Sequence, residues 1–199
     1  VFFRQFVGAE LLRYHLVDDR WDRIPIPGSP TLDAGIVAFD TKLLVYPFEH
    51  GQSRDPDRLL DPGTGEWTTL PGIPMSPGMV RSFVTVGRRL VYLDTERVAN
   101  PGVKPTRQRT ALLGTNAGGW QVFPTADVLA GSGLVVDRDT IVRPVPGGFD
   151  GGQVNGWGRT YPSGGVLNLK TGSWGPLPSG LSERDFVLGV YGEGGMSEA

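Results

Sequence analysis

A Trp-centred signature recurs four times along this chain, each time with the same internal spacing. The copies are Tyr14–Trp21–Ile24–Pro25, Leu60–Trp67–Leu70–Pro71, Leu113–Trp120–Phe123–Pro124 and Leu167–Trp174–Leu177–Pro178. In each, an apolar or aromatic residue stands seven before Trp, an apolar one three after it, and Pro four after it. Successive Trp residues at 21, 67, 120 and 174 lie 46, 53 and 54 residues apart. Self-similarity at a period near fifty, with short apolar runs and turn residues between, marks stacked β units, most naturally the blades of a propeller.

Composition agrees with an all-β chain of many short strands. The 30 Gly and 17 Pro of 199 residues do not form a low-complexity tract; they punctuate apolar runs. With 19 basic and 21 acidic side chains the formal net charge is −2, which supplies no electrostatic pull toward nucleic acid or an anionic membrane. No apolar run is long enough for a membrane-spanning helix, so no membrane partner is expected. Cys is absent, so disulfides and thiolate metal sites are excluded. Val1-Phe2-Phe3 opens the chain without an initiator Met or a signal-peptide pattern, which suggests a piece of a longer protein.

Between signatures the sequence predicts pairs of strands joined by tight turns. Ile36–Phe39 and Leu43–Tyr46 flank Asp40-Thr41-Lys42; Ser82–Val86 and Leu90–Leu93 flank Gly87-Arg88-Arg89; Leu134–Val136 and Thr140–Arg143 flank Asp137-Arg138-Asp139. A third strand ends near the residue seven before Trp, and a fourth carries Trp itself. The turns between those two contain Pro62-Gly63-Thr64-Gly65, Asn116-Ala117-Gly118-Gly119 and Lys170-Thr171-Gly172-Ser173, where Gly takes positive φ without steric cost. Each unit is thus an antiparallel meander of strands a to d. Trp and the apolar residue three beyond it fall on opposite faces of one strand, as suits a sheet covered on both sides. Pro cannot donate to a ladder and ends the outermost strand. Trp21, Trp67, Trp120 and Trp174 are therefore assigned structural roles, with aromatic truncation expected to cost about 3–5 kcal/mol.

Leu59-Leu60-Asp61-Pro62-Gly63-Thr64-Gly65-Glu66-Trp67-Thr68-Thr69-Leu70-Pro71 resembles the second half of a kelch repeat of the galactose-oxidase-like β-propellers, and Asn168-Leu169-Lys170-Thr171-Gly172-Ser173-Trp174 is similar to it. The resemblance spans essentially the whole chain. The Gly-Gly pair usual at the end of a kelch second strand survives only as Gly147-Gly148, and the Tyr before Trp only as Tyr14. It implies a single propeller domain, or a piece of one, with units over about 1–27, 28–78, 79–130, 131–182 and 183–199. Val1–Gly8, Glu10–Leu16 and Trp21–Ile26 supply strands b, c and d of a first unit, and Asp185–Tyr191 a leftover strand a. These leftovers either pair to close a four-bladed ring or belong to a larger ring, and the rarity of four-bladed closure favours the larger ring.

Turns a–b and c–d of such meanders emerge at one end, and connections b–c and d–a at the other. The b–c connections are the long ones, over Pro47–Arg58, Asp94–Arg109 and Pro144–Gly164, so one end is expected to carry function. The third is the richest, with Asp150, Asn155, Trp157, Arg159 and Tyr161. Trp157 is the one Trp outside the signature, and an aromatic among Gly, Asn and Arg makes a platform for a sugar or an anchor for a peptide. Trp157 and Tyr161 would equally serve to pin that loop onto its own unit. Arg81 and Arg184 follow the d–a turns and are placed at the start of strand a, suited either to bidentate binding of a ligand carboxylate or to pairing with a neighbouring unit.

Catalysis finds little support. The copper radical oxidases of the resembled superfamily require two His, two Tyr and a Cys–Tyr crosslink, and this segment has His15, His50 and no Cys. No nucleophile elbow, zinc-helix motif or phosphate loop is present. His15 is expected in a strand and His50 in a solvated loop, with no metal and no cofactor. Asp33, Glu49, Asp150 and Glu183 are scattered acids. The reading is a non-catalytic binding module for a glycan, peptide or protein; the alternative is part of a sugar-active enzyme, an oxidase or sialic-acid isomerase, with its catalytic groups elsewhere. A structural spacer in a cell-surface protein is a third reading. Gly/Pro-rich loops and mild acidity fit a secreted or extracytoplasmic bacterial protein.

Overall fold

The spacing of seven in the signature is a hairpin register. In the computed structural model Tyr14 stands directly opposite Trp21, Leu60 opposite Trp67, Leu113 opposite Trp120 and Leu167 opposite Trp174. The structure describes residues 2–4, 10–28, 34–47, 56–76, 78, 81–95, 108–114, 119–126, 134–143 and 165–176. All regular structure among them is β.

Among the described residues fifteen strands form four antiparallel sheets, each a meander in chain order. The first has three strands, β1 (Phe2–Arg4), β2 (Glu10–His15) and β3 (Arg20–Pro25). The second has β4 (Ala34–Phe39), β5 (Lys42–Pro47), β6 (Arg58–Leu60) and β7 (Trp67–Thr69). The third has β8 (Arg81–Val86), β9 (Arg89–Thr95), β10 (Gln108–Gly114) and β11 (Trp120–Val122). The fourth has β12 (Leu134–Asp137), β13 (Thr140–Arg143), β14 (Gly165–Asn168) and β15 (Ser173–Gly175). Among the described residues no sheet closes on itself. The expected strands b, c and d of the first unit are present; the strand expected over Asp185–Tyr191 lies outside the described residues.

Alternation of side chains gives each inner sheet two apolar faces, and the sheets stack through them in sequence order. Leu11 and Ile26 of the first unit meet Ala34, Val45 and Leu60 of the second, with Trp67 against this cluster. The opposite face of the second sheet offers Leu44, Tyr46 and Leu59, and Leu70 follows its last strand. They meet Phe83, Leu90, Tyr92, Ala111 and Leu113 of the third, with Trp120 at the seam. Val91, Leu93, Leu112 and Phe123 then meet Ile141, Leu167 and Leu169 of the fourth, beside Trp174. Trp67 and Leu70 thus serve opposite neighbours, as do Trp120 and Phe123, as the offset of three requires. Leu177, at the same place in the fourth copy, lies outside the described residues. The sheets also meet through their first strands, β4 against β8 and β8 against β12.

Local turn chemistry repeats as well. Asp61 Oδ1 accepts the amides of Gly63 and Thr64 at 2.8 and 3.1 Å, and Asn168 Oδ1 accepts those of Lys170 and Thr171 at 2.9 and 3.3 Å. These short polar side chains hold the turn that lets Trp fall opposite its partner.

Candidate functional site

Arg81, Asp94 and Arg109 are direct cross-strand neighbours on β8, β9 and β10, so their side chains share one face. That face looks toward the second sheet, and the row lies where β8 begins, β9 ends and β10 begins. It is the end from which the connections 70–80 and 96–107 leave. Strand pairing therefore runs to Thr95 and from Gln108, and the expected loop limits Asp94 and Arg109 are strand residues.

The row is buried. Arg81 is 3% exposed, Asp94 0% and Arg109 8%. The guanidinium of Arg81 pairs across the seam with Asp57, just before β6, and lies 5.4 Å from the Tyr46 ring centre and 5.3 Å from that of Phe83. Tyr46 reaches this place because its cross-strand partner is Gly35: a Cβ there would come within 2.3 Å of the ring. Arg109 Nη2 donates to Asp94 Oδ2 at 2.5 Å and Nη1 to Ser76 Oγ at 3.4 Å, while the Tyr92 hydroxyl donates to Asp94. The Asp94 carboxylate in turn packs on the backbone of Gly78, in the space a Cβ would fill. Charged ends of three strands are thereby tied to one another and to Ser76 and Gly78.

Desolvation dominates the electrostatics of this cluster. Burial pushes the Asp57 carboxyl above its ordinary range despite the opposing pull of Arg81. Burial, with Asp94 beside it, pushes the Tyr92 hydroxyl far above the usual phenol value, so it remains a hydrogen-bond donor. Such a cluster is chemically a clamp: its charges are spent on one another, and no activated nucleophile stands beside a base.

A second polar cluster lies at the opposite end, on the face of the first sheet turned toward the second. Asp22 accepts from Arg13 Nη2 at 2.7 Å, lies 2.6 Å from His15 Nε2, and pairs with Arg20. Arg13 Nη1 also donates to Pro62 O at 3.2 Å, joining the two sheets. Among the described residues no group of three or more His, Cys, Asp or Glu is placed to hold a metal ion.

Of the candidate site residues, Arg81 is the one described, and it is a buried partner of Asp57 on the neighbouring sheet. Asp150, Asn155, Trp157, Arg159, Tyr161 and Arg184 lie outside the described residues, as does His50; His15 is a half-buried strand residue. Sequence reasoning passed over Asp57, Asp94 and Arg109. The available signal was the turn Gly87-Arg88, which pairs Arg81 with Asp94 at equal distances from it. No protein-family profile matches the chain, and no curated protein matches it.

Proposed function

We propose that the four sheets are successive blades of a kelch-like β-propeller, and that the chain is a non-catalytic binding module for a glycan, peptide or protein. Two features support the architecture: the first strands β4, β8 and β12 lie side by side, as inner strands around an axis do, and Trp67, Trp120 and Trp174 each pack into the seam before their own sheet.

The observation that carries the binding function is the contrast between the two ends. At one end a–b hairpins turn through Asp40-Thr41, Gly87-Arg88 and Arg138-Asp139 alone. At the other, β5 and β6 are separated by residues 48–57, β9 and β10 by 96–107, and β13 and β14 by 144–164. Chain length far beyond what a hairpin needs, concentrated at one end of a rigid stack and rooted on a buried ionic row, is how binding surfaces are built on β scaffolds.

The test is a glycan array and an immobilised-peptide library probed with the chain and two variants. Trp157→Ala in the longest b–c connection is expected to abolish whatever binding is found, and Arg138→Ala at the short-turn end to leave it unchanged. Retained binding in the first variant with loss in the second would refute the assignment of the ends.

A further inference from the structure

Arg58 is the exception among the arginines whose side chains are described. Every other one pairs with a carboxylate, as Arg81 does with Asp57 and Arg109 with Asp94. No carboxylate of the described residues pairs with Arg58, and its Nε is closed to solvent without an acceptor. The cause is alternation along the chain. Asp57 and Arg58 are consecutive and face opposite seams, and Asp57 is spent on Arg81 of the third sheet. Arg58 stands opposite Val45 on β5 and Thr69 on β7, with Leu60 two residues on. Val45 and Leu60 pack with Leu11 and Ile26 of the first sheet, so the stem of Arg58 borders an apolar seam. The side chain as a whole is only half-buried, and Thr69 beside it is exposed. A desolvated N–H without an acceptor destabilises the fold, and a guanidinium on a dry apolar border attracts an oxyanion more strongly than one in water.

We propose that Arg58 receives a carboxylate of the ligand held at the long-connection end. The inference rests on the binding reading above and adds the charge of what is bound. β6 begins at Arg58, where the connection over residues 48–57 returns to the sheet, so the guanidinium stands at the root of a long connection. Its donors lie in one plane and match the two oxygens of a carboxylate. A single unspent cation suits one carboxylate and not a polyanion, in keeping with the net charge of −2. An acidic sugar and an acidic peptide side chain both present this group.

Matched pairs on the two arrays test this: oligosaccharides carrying glucuronate against the same ones carrying glucose, and peptides carrying Glu against the same ones carrying Gln. The chain is expected to prefer the acidic member at least about tenfold, and Arg58→Gln to lose that preference. Circular dichroism checks that the variant folds. The pair on which the preference appears, sugar or peptide, identifies the source of the carboxylate. Equal binding of acidic and neutral members, or an acid preference that survives in Arg58→Gln, overturns the inference and leaves the binding reading standing. A second measurement needs no ligand. Arg58→Met keeps an unbranched stem without the charge, and its urea midpoint is expected to match or exceed that of the parent chain. A lower midpoint would show that Arg58 is already satisfied within the fold, and overturns the inference alone. No binding to either array removes the binding reading and this inference with it.

Discussion

Two residues before the repeat Trp, the backbone of Asp19, Gly65 and Gly172 turns left-handed, with φ of 47°, 78° and 72°. A side chain there costs on the order of 1 kcal/mol, and Asp is among the few non-Gly residues that tolerate it. Asp19 also accepts the Tyr14 hydroxyl at 2.5 Å, which offsets part of that cost. The two Gly positions share a conformation and differ in surroundings. Nothing lies within 4 Å of a Cβ built on Gly65, whereas one on Gly172 would stand 2.4 Å from the Phe123 ring. Gly65→Ala is expected to cost about 1 kcal/mol, and Gly172→Ala a further ~1–3 kcal/mol from overpacking, measured by urea unfolding. Equal costs would mean that Phe123 yields freely. Charge gives a second prediction at this scale. Arg13 first, then His15, holds the Asp22 carboxyl down at about 2, below its usual 3.8. A folded value below the unfolded one makes the ionised form stabilising. That contribution is complete above the usual value and is lost as pH falls from about 4 through about 2. An NMR titration should show Asp22 moving back toward its usual value in Arg13→Ala. Asp57 acts in the opposite sense: its raised value means that protonation favours the folded state, so ionisation costs stability as pH rises through it.

At the scale of strands and connections, the seam between the second and third sheets shows which interactions a sequence reveals. The hairpin register was legible because both halves of each pair lie on adjacent strands: Leu60 with Trp67, and Leu113 with Trp120. The opposite facing of Trp67 and Leu70 followed from alternation alone. Asp57 and Arg81 were not legible, because they belong to different sheets and meet only when those sheets stack; no local periodicity links them. Asp94 and Arg109 looked like loop limits because charges seldom end buried strands, yet each is accommodated by its cross-strand neighbour. Side-chain exposures of 2% for Arg81 and 11% for Asp57 make the pair costly to break from one side. Asp57→Ala is expected to destabilise by about 3–5 kcal/mol, because it leaves the guanidinium in low dielectric without that acid. The double change Asp57→Leu with Arg81→Met should recover more than half of the loss, since an apolar pair has no desolvation penalty. Thermal and urea unfolding of the three variants measure this. A double variant as unstable as the single one would mean that the row contributes through its ion pairs and not merely by filling the seam.

For the molecule as a whole, stacking in series decides how stability is distributed. The third sheet is covered on both faces, by Leu44, Leu59 and Leu70 on one side and by Ile141, Leu167 and Leu169 on the other. The first meets the second through one face, by way of Leu11 and Ile26. Assemblies whose units touch only their neighbours behave as sums of unit and seam energies, so a defect spreads no further than the seams it weakens. Leu90 and Leu11 are both 0% exposed, so Leu→Ala at either removes a similar side chain from a closed environment and costs about 2–5 kcal/mol. Their reach should differ. Leu11→Ala is expected to speed amide hydrogen exchange in β2, β3 and the facing β4 and β5, leaving β13 and β14 as in the parent chain. Leu90→Ala lies in the seam that joins the two halves of the stack, and should speed exchange in β5 and β6 as well as throughout β8–β11. Exchange followed by mass spectrometry over these peptides separates the outcomes. Uniform acceleration of all four sheets by Leu11→Ala would show one cooperative unit, and would remove the nearest-neighbour picture on which serial stacking rests.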